Sequence, residues 1–229
     1  MMRIPVDITH EWDVSPGLAI QIQERLKARV VLSNGFQQLS RIGGADVAFS
    51  RKRNKVYAVL VVLDYVTMSA LEMVSGEGPA RFPYIPGLLT FREGPVLMEV
   101  FNRLRKWPDL ILFDGQGIAH PRRLGLASHM GLLLNTPSIG CAKSPLRVQF
   151  KPPKRERGSL SKMMYGHEQV GVVLRTRDGI NPLYISPGHM VDLPTSVKVV
   201  LDCGRGYRLP EPTRIAHIQV SQMRRRDEE

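Results

Sequence analysis

The stretch that most constrains this chain runs from Pro108 to Gly131, PDLILFDGQGIAHPRRLGLASHMG. Leu110 to Phe113 form a continuous apolar run, as expected of a strand buried on both faces. The run ends on Asp114, and Gly115-Gln116-Gly117 then turns the chain ahead of an apolar-periodic segment. Open α/β sheets hold metals and ligands at such places, where a carboxylate ends a buried strand and glycines clear the space beside it. Solubility explains such an acid poorly. If Asp114 ligates a metal, other carboxylates must converge on it from elsewhere in the chain.

The flanking segments predict a mixed sheet in one domain over residues 1–229, with flexible ends at 1–15 and 222–229. Pro16 opens a helical pattern whose apolar positions are Leu18, Ile20, Ile22, Leu26 and Val30. Arg41 to Ser50, Val56 to Leu63 and Ser69 to Ser75 read as three antiparallel strands. The glycines and prolines of GEGPARFPYIPG then interrupt regular structure. A helix from about Leu88 to Lys106 follows, delayed or kinked by Pro95. After the Asp114 strand come a helix over Leu124 to Leu134 and a strand over Ser138 to Ala142. Residues 147–162, basic and broken by prolines, read as a surface loop. A hairpin (Val170 to Thr176 with Leu183 to Ser186) and helices over Thr195 to Cys203 and Pro212 to Arg225 close the chain.

The order β-β-β-α-β-α-β, with right-handed crossovers to the later strands, is that of the ribonuclease H-like fold. Sites on that fold draw carboxylates from the first strand, the first helix after the meander and the end of the fourth strand, with a further group from a late helix. Four residues occupy those places. Asp46 lies mid-strand in GGADVAFS, where an acid is costly to bury without compensation; the alternative is an edge strand facing water. Glu93 opens the helix in FREGP, where an acid also suits the helix N-terminus. Asp114 ends the fourth strand. His217 lies on the last helix, where a lone histidine is more often packed than ligating. Close carboxylates require a counter-charge, and an oxygen-rich set with one imidazole favours Mg²⁺, with Mn²⁺ able to substitute, over zinc. Lys143, just past the fifth strand, is a candidate for holding a scissile phosphate or orienting water, or else an ordinary surface lysine.

Charge bears on the substrate class. Thirty-two Lys and Arg against 21 acids give a net charge of +11, which suits a polyanionic partner, nucleic acid ahead of anionic membrane, or else a merely soluble, basic surface, and charge alone does not choose between them. Cys141 and Cys203 make no disulfide framework or zinc spacing and read as buried free thiols in a reducing cytoplasm. The N-terminus lacks the apolar core of a signal peptide, and no apolar run is long enough to span a bilayer, so the expectation is a cytoplasmic protein that engages no membrane.

Together PYIPGLLTFREGP, DGQGIAHPRRLGLASHMG, SIGCAKS, GVVLRTRDG and PLYISPGH strongly resemble endonuclease V, the deaminated-base nuclease, in order and over roughly residues 15–220. The resemblance implies Mg²⁺-dependent nicking at the second phosphodiester 3′ to inosine in DNA, as a step of repair. It implies a metal group of Asp46, Glu93, Asp114 and His217, with Lys143 as phosphate or water partner. Pro83-Tyr84-Ile85-Pro86 corresponds to the family's wedge, two prolines stiffening a loop whose tyrosine replaces a lost stacking partner; otherwise it is a rigid surface turn. Backbone around Gly87, Leu88, Leu89 and Gly125 corresponds to the hypoxanthine pocket, reading the purine edge of a flipped base. His120 corresponds to a histidine near the strand backbone, the alternative being a turn-stabilising hydrogen bond. The resemblance implies deoxyinosine-containing DNA as the substrate and leaves inosine-containing RNA open; a monomer is the expectation, without support from any motif. Met190 departs from it, standing where the family usually carries Arg. Two other readings remain at this point: a ribonuclease H-like nuclease acting on RNA or branched structures, and a non-catalytic nucleic-acid-binding module.

Overall fold

The computed structural model describes residues 8–229. Helix α1 (Pro16–Leu26) starts where Ser15 Oγ accepts the Leu18 N–H at 3.2 Å and proline occupies the first turn. Strands β1 (Arg41–Ser50), β2 (Lys55–Asp64) and β3 (Ala70–Pro79) form an antiparallel meander. Helix α2 (Leu89–Asn102) leads to β4 (Leu110–Phe113), and α3 (Leu126–Leu134) to β5 (Ser138–Ala142). β4 runs parallel to β1, and β5 parallel to β4. Strands β6 (Gln149–Phe150), β7 (Leu160–Tyr165), β8 (Glu168–Leu174) and β9 (Leu183–His189) extend the sheet antiparallel beyond β5. Helices α4 (Leu193–Asp202) and α5 (Glu211–Glu228) close the chain. The nine strands stand in the order β3-β2-β1-β4-β5-β9-β8-β7-β6.

Helices cover both faces, which is why β2 is apolar and buried from Val56 to Leu63. Tyr57, Val59, Val61 and Leu63 pack on one face with Val199 and Val200 of α4 and Ala216 and Val220 of α5. Val56, Ala58 and Leu60 pack on the other with Val96, Leu97 and Val100 of α2 and Met130 and Leu133 of α3. Both cysteines are free and buried, as expected. No helix among the described residues is long and apolar enough to cross a membrane.

Several local expectations need correction. The interrupted segment does not begin at Gly76: β3 continues through Gly78 to Pro79, held along its length by β2. Pro95 does not delay α2, which starts at Leu89; it lies inside the helix on the exposed side, where it removes one helical hydrogen bond. Residues 147–162 are not all loop, since β6 and the start of β7 lie within them. On α1 the buried positions are Ala19, Ile22, Gln23 and Leu26, whereas Leu18 and Ile20 are exposed.

The ends also differ from expectation. Residues 1–7 of the expected flexible end lie outside the described residues; of the rest, Ile8 is buried, and His10 and Trp12 pack on Phe91. At the other end α5 runs on to Glu228 instead of fraying from residue 222. Its charges find partners on the β1–β2 hairpin: the Tyr57 hydroxyl donates to the Asp227 carboxylate, and Arg53 Nε donates to the Asp227 carbonyl at 2.7 Å.

Candidate metal centre

Register brings the first two acids together. Ala45 of β1 pairs with Phe113 of the parallel β4, so Asp46 and Asp114 are the next residues along neighbouring strands. The Asp114 N–H donates to the Ala45 carbonyl at 3.0 Å, which fixes the turn after β4 against β1. A third contribution comes from α5, which can lie on β1 only because residue 44 is glycine. A Cβ there would stand 2.2 Å from the Pro212 carbonyl carbon. That close approach delivers His217, whose Nδ1 lies 2.7 Å from Asp46 Oδ2.

Among the described residues, Asp46, Asp114 and His217 form a group whose ligand atoms all lie within 4.8 Å of one another. Lys143, one residue past β5, reaches into it. Its Nζ contacts the Asp114 carboxylate, stands 3.9 Å from Asp46 Oδ2 and lies 3.0 Å from His217 Nδ1. That imidazole nitrogen holds at most one proton, so it either donates to Asp46 or accepts from Lys143. Glu93, on α2, falls outside this closest group. It is nonetheless felt there: burial first, then the Asp46 and Asp114 charges, push its carboxyl up to about 8. Burial and Asp46 likewise raise Asp114 to about 6, against the pull of Lys143.

The residues fit a divalent cation. Two carboxylates and an imidazole converge within 4.8 Å, and the Glu93 carboxyl lies close enough to feel both acids. Burial and the neighbouring negative charges hold Glu93 and Asp114 above the ordinary carboxylate range, and the Lys143 ammonium contacts Asp114.

The centre forms one wall of a cleft of about 390 Å³. Of the residues singled out from sequence, Tyr84, Ile85, Pro86, Gly87, Leu89, His120 and Gly125 line it together with Asp46, Asp114, Lys143 and His217. Pro83 is exposed beside it, Tyr84 is 69% exposed at the rim, and Leu88 turns into the core at 1% exposure. The His120 ring is buried with both nitrogens engaged: Nε2 with the Gly87 carbonyl at 2.9 Å, and Nδ1 with the Arg122 N–H at 3.2 Å. Sequence reasoning passed over Gln116, Ser144, Pro145 and Leu146, which also line the cleft. Gln116 was in plain view inside the Gly-Gln-Gly turn; its Nε2 donates to the Ser144 carbonyl at 2.8 Å.

A mixed sheet that sets Asp46 and Asp114 side by side along its parallel strands β1 and β4, at the wall of a cleft, has the arrangement of the ribonuclease H-like class of nucleases. A family model for endonuclease V matches residues 24–218. The endonuclease V of Dehalococcoides mccartyi is 48% identical over 222 residues, covering 97% of this chain and 100% of that protein. The crystal structure of the Streptomyces avermitilis endonuclease V superposes with a TM-score of 0.89 at 37% identity, covering 100% of this chain and 99% of that one. The Ciona intestinalis endonuclease V, in complex with a 24mer DNA containing an inosine followed by a ribo-adenosine, has a TM-score of 0.80 at 26% identity over 92% and 98% of the two chains. The chain belongs to the endonuclease V family, nucleases that hydrolyse phosphodiester bonds.

Proposed function

We propose that this protein nicks nucleic acid at the second phosphodiester 3′ to inosine, with Mg²⁺ bound by Asp46, Glu93, Asp114 and His217. The observation that carries the reading is the convergence of Asp46, Asp114 and His217 within 4.8 Å on the wall of the cleft that Tyr84 overhangs. A divalent ion bound there supplies a lowered pKa for an attacking water and charge neutralisation at the leaving oxygen. Mn²⁺ suits the same oxygen-rich donors.

The chain's own groups do the rest. Lys143 presents its ammonium to the scissile phosphate from the end of β5. Tyr84, held at the rim between Pro83 and Pro86, stacks where the damaged base leaves the duplex. Backbone at Gly87, Leu88, Leu89 and Gly125 reads the edge of the flipped hypoxanthine. DNA with deoxyinosine is the substrate, the protein acts as a monomer in the cytoplasm, and the reaction begins repair of deaminated adenine. A second reading, cleavage at inosine in RNA, draws support from the ribo-adenosine that follows inosine in the strand bound by the Ciona relative.

The test uses matched DNA and RNA strands, each with one inosine, incubated with Mg²⁺, Mn²⁺ or chelator. Metal-dependent nicks at a fixed offset from inosine support the proposal, and their ratio between the two strands chooses the substrate. Folded protein that cuts neither strand with metal present overturns it.

A further inference from the structure

Gly87 sits where the Tyr84 loop passes into α2. Its φ of +86° is left-handed, and a Cβ there would stand 3.0 Å from Arg122 Nη2 and 3.3 Å from His120 Nε2. Three side chains donate to its carbonyl: Gln23 Nε2 at 3.0 Å, His120 Nε2 at 2.9 Å and Arg122 Nη2 at 2.7 Å. A carbonyl has two lone pairs, so three donors, one of them cationic, over-determine how this peptide is oriented.

Gln23 does more than hold Gly87. The same Nε2 donates to the Leu124 carbonyl at 3.2 Å, and Oε1 accepts from Arg122 Nε at 2.5 Å. Leu124 adjoins Gly125, which lines the same cleft as Gly87. One amide, 1% exposed, therefore ties together two backbone segments that flank the pocket. It takes this place on α1 at a position where the helix spacing (Ala19, Ile22, Leu26) calls for an apolar residue. A buried polar side chain is tolerated there because its bonds are made. The fork of Arg122 bridges Gln23 and Gly87, closing the network.

We infer that Gln23 and Arg122 are positioning residues that set the spacing of the base pocket, and with it the selectivity for inosine over ordinary bases. The inference rests on the cleft being the inosine pocket. Neither residue touches the metal centre, so their replacement leaves the metal response in place while widening what the pocket accepts.

Gln23→Ala and the milder Arg122→Lys are compared with the wild-type chain in two measurements. The first, independent of any substrate, is amide hydrogen exchange over residues 84–91 of the free protein, where both variants exchange faster. The second is the ratio of kcat/KM on inosine strands to that on matched adenine strands. It falls about tenfold to a hundredfold in Gln23→Ala, the scale of one or two buried hydrogen bonds. Arg122→Lys keeps a cation but not the fork and falls between, while the Mg²⁺-induced rise in Tm stays at the wild-type value in both.

A merely structural role lowers Tm and leaves the ratio unmoved, and that result overturns the selectivity assignment. Unchanged exchange in both variants overturns the clamp itself. If Gln23→Ala does not fold, Arg122→Lys decides by the same criteria. A wild-type chain that cuts no inosine strand refutes the substrate reading and the selectivity role with it, while the exchange arm still decides whether the clamp exists.

Discussion

At neutral pH the metal-free protein holds Glu93 largely protonated, because burial and the nearby Asp46 and Asp114 charges push it up to about 8. An unfolded chain ionises this carboxyl near 4.5. The folded state therefore binds the extra proton, and the stability this confers is complete below about 4.5 and lost as pH rises through about 8. Asp114 acts in the same sense between 3.8 and about 6. Denaturant titrations in chelator should show stability declining across that span, and Glu93→Gln should flatten its upper part. Saturating Mg²⁺ should stabilise the wild type by an amount that grows with pH, since the ion then displaces fewer protons. A stabilisation that does not vary with pH contradicts this picture of the acids. Asp114 was legible because nothing bland explains a charge at that point in the chain. Gln23 was not, because its partners at Gly87, Leu124 and Arg122 lie far away in sequence.

The element that assembles the centre is α5, and its seat on β1 depends on Gly44. A methyl group there meets the Pro212 backbone at 2.2 Å, backbone that cannot swing aside. Gly44→Ala should cost about 1 to 3 kcal/mol of stability, as overpacked sites do. It should also reduce nicking beyond what unfolding accounts for, because His217 moves with the helix; assays well below the variant's Tm separate the two effects. The far end of α5 is seated by Tyr57, and Tyr57→Phe should lower stability by about 1 kcal/mol, measured by denaturant melts, with nicking unaltered.

These two ends also show what local pattern can and cannot carry. β4 was readable to the residue because a strand buried on both faces needs an unbroken apolar run, here Leu110 to Phe113. The last turns of α5 read as a loose tail, since Arg224-Arg225-Arg226-Asp227-Glu228 has no apolar face and its anchors belong to another hairpin. β6 and the start of β7 were hidden for a similar reason: their ladder is short and embedded among prolines and basic residues.

At the scale of the molecule, the charge of +11 is unevenly available. Outside the centre, the basic stretch Arg51-Lys52-Arg53 is partly engaged with α5, through Lys52 and Arg53. Lys151, Lys154 and Arg155, beside the outer strands β6 and β7, are exposed. Such residues, bonded to phosphates, position a strand without reading its sequence. Cleavage below saturation should fall steeply with salt. Changing Lys151, Lys154 and Arg155 to Gln should flatten the log–log slope by about 0.9 for each duplex phosphate no longer neutralised, with the preference for inosine unchanged. An unaltered slope places the strand elsewhere on the surface.

The central claim is that residues distant in sequence fold into one divalent-cation site, and anomalous diffraction from crystals grown with Mn²⁺ tests it most directly. The account predicts a manganese peak enclosed by Asp46, Glu93, Asp114 and His217, with Lys143 displaced from the Asp114 carboxylate. Crystals that diffract well and show no peak among those side chains, or manganese bound only elsewhere, contradict it.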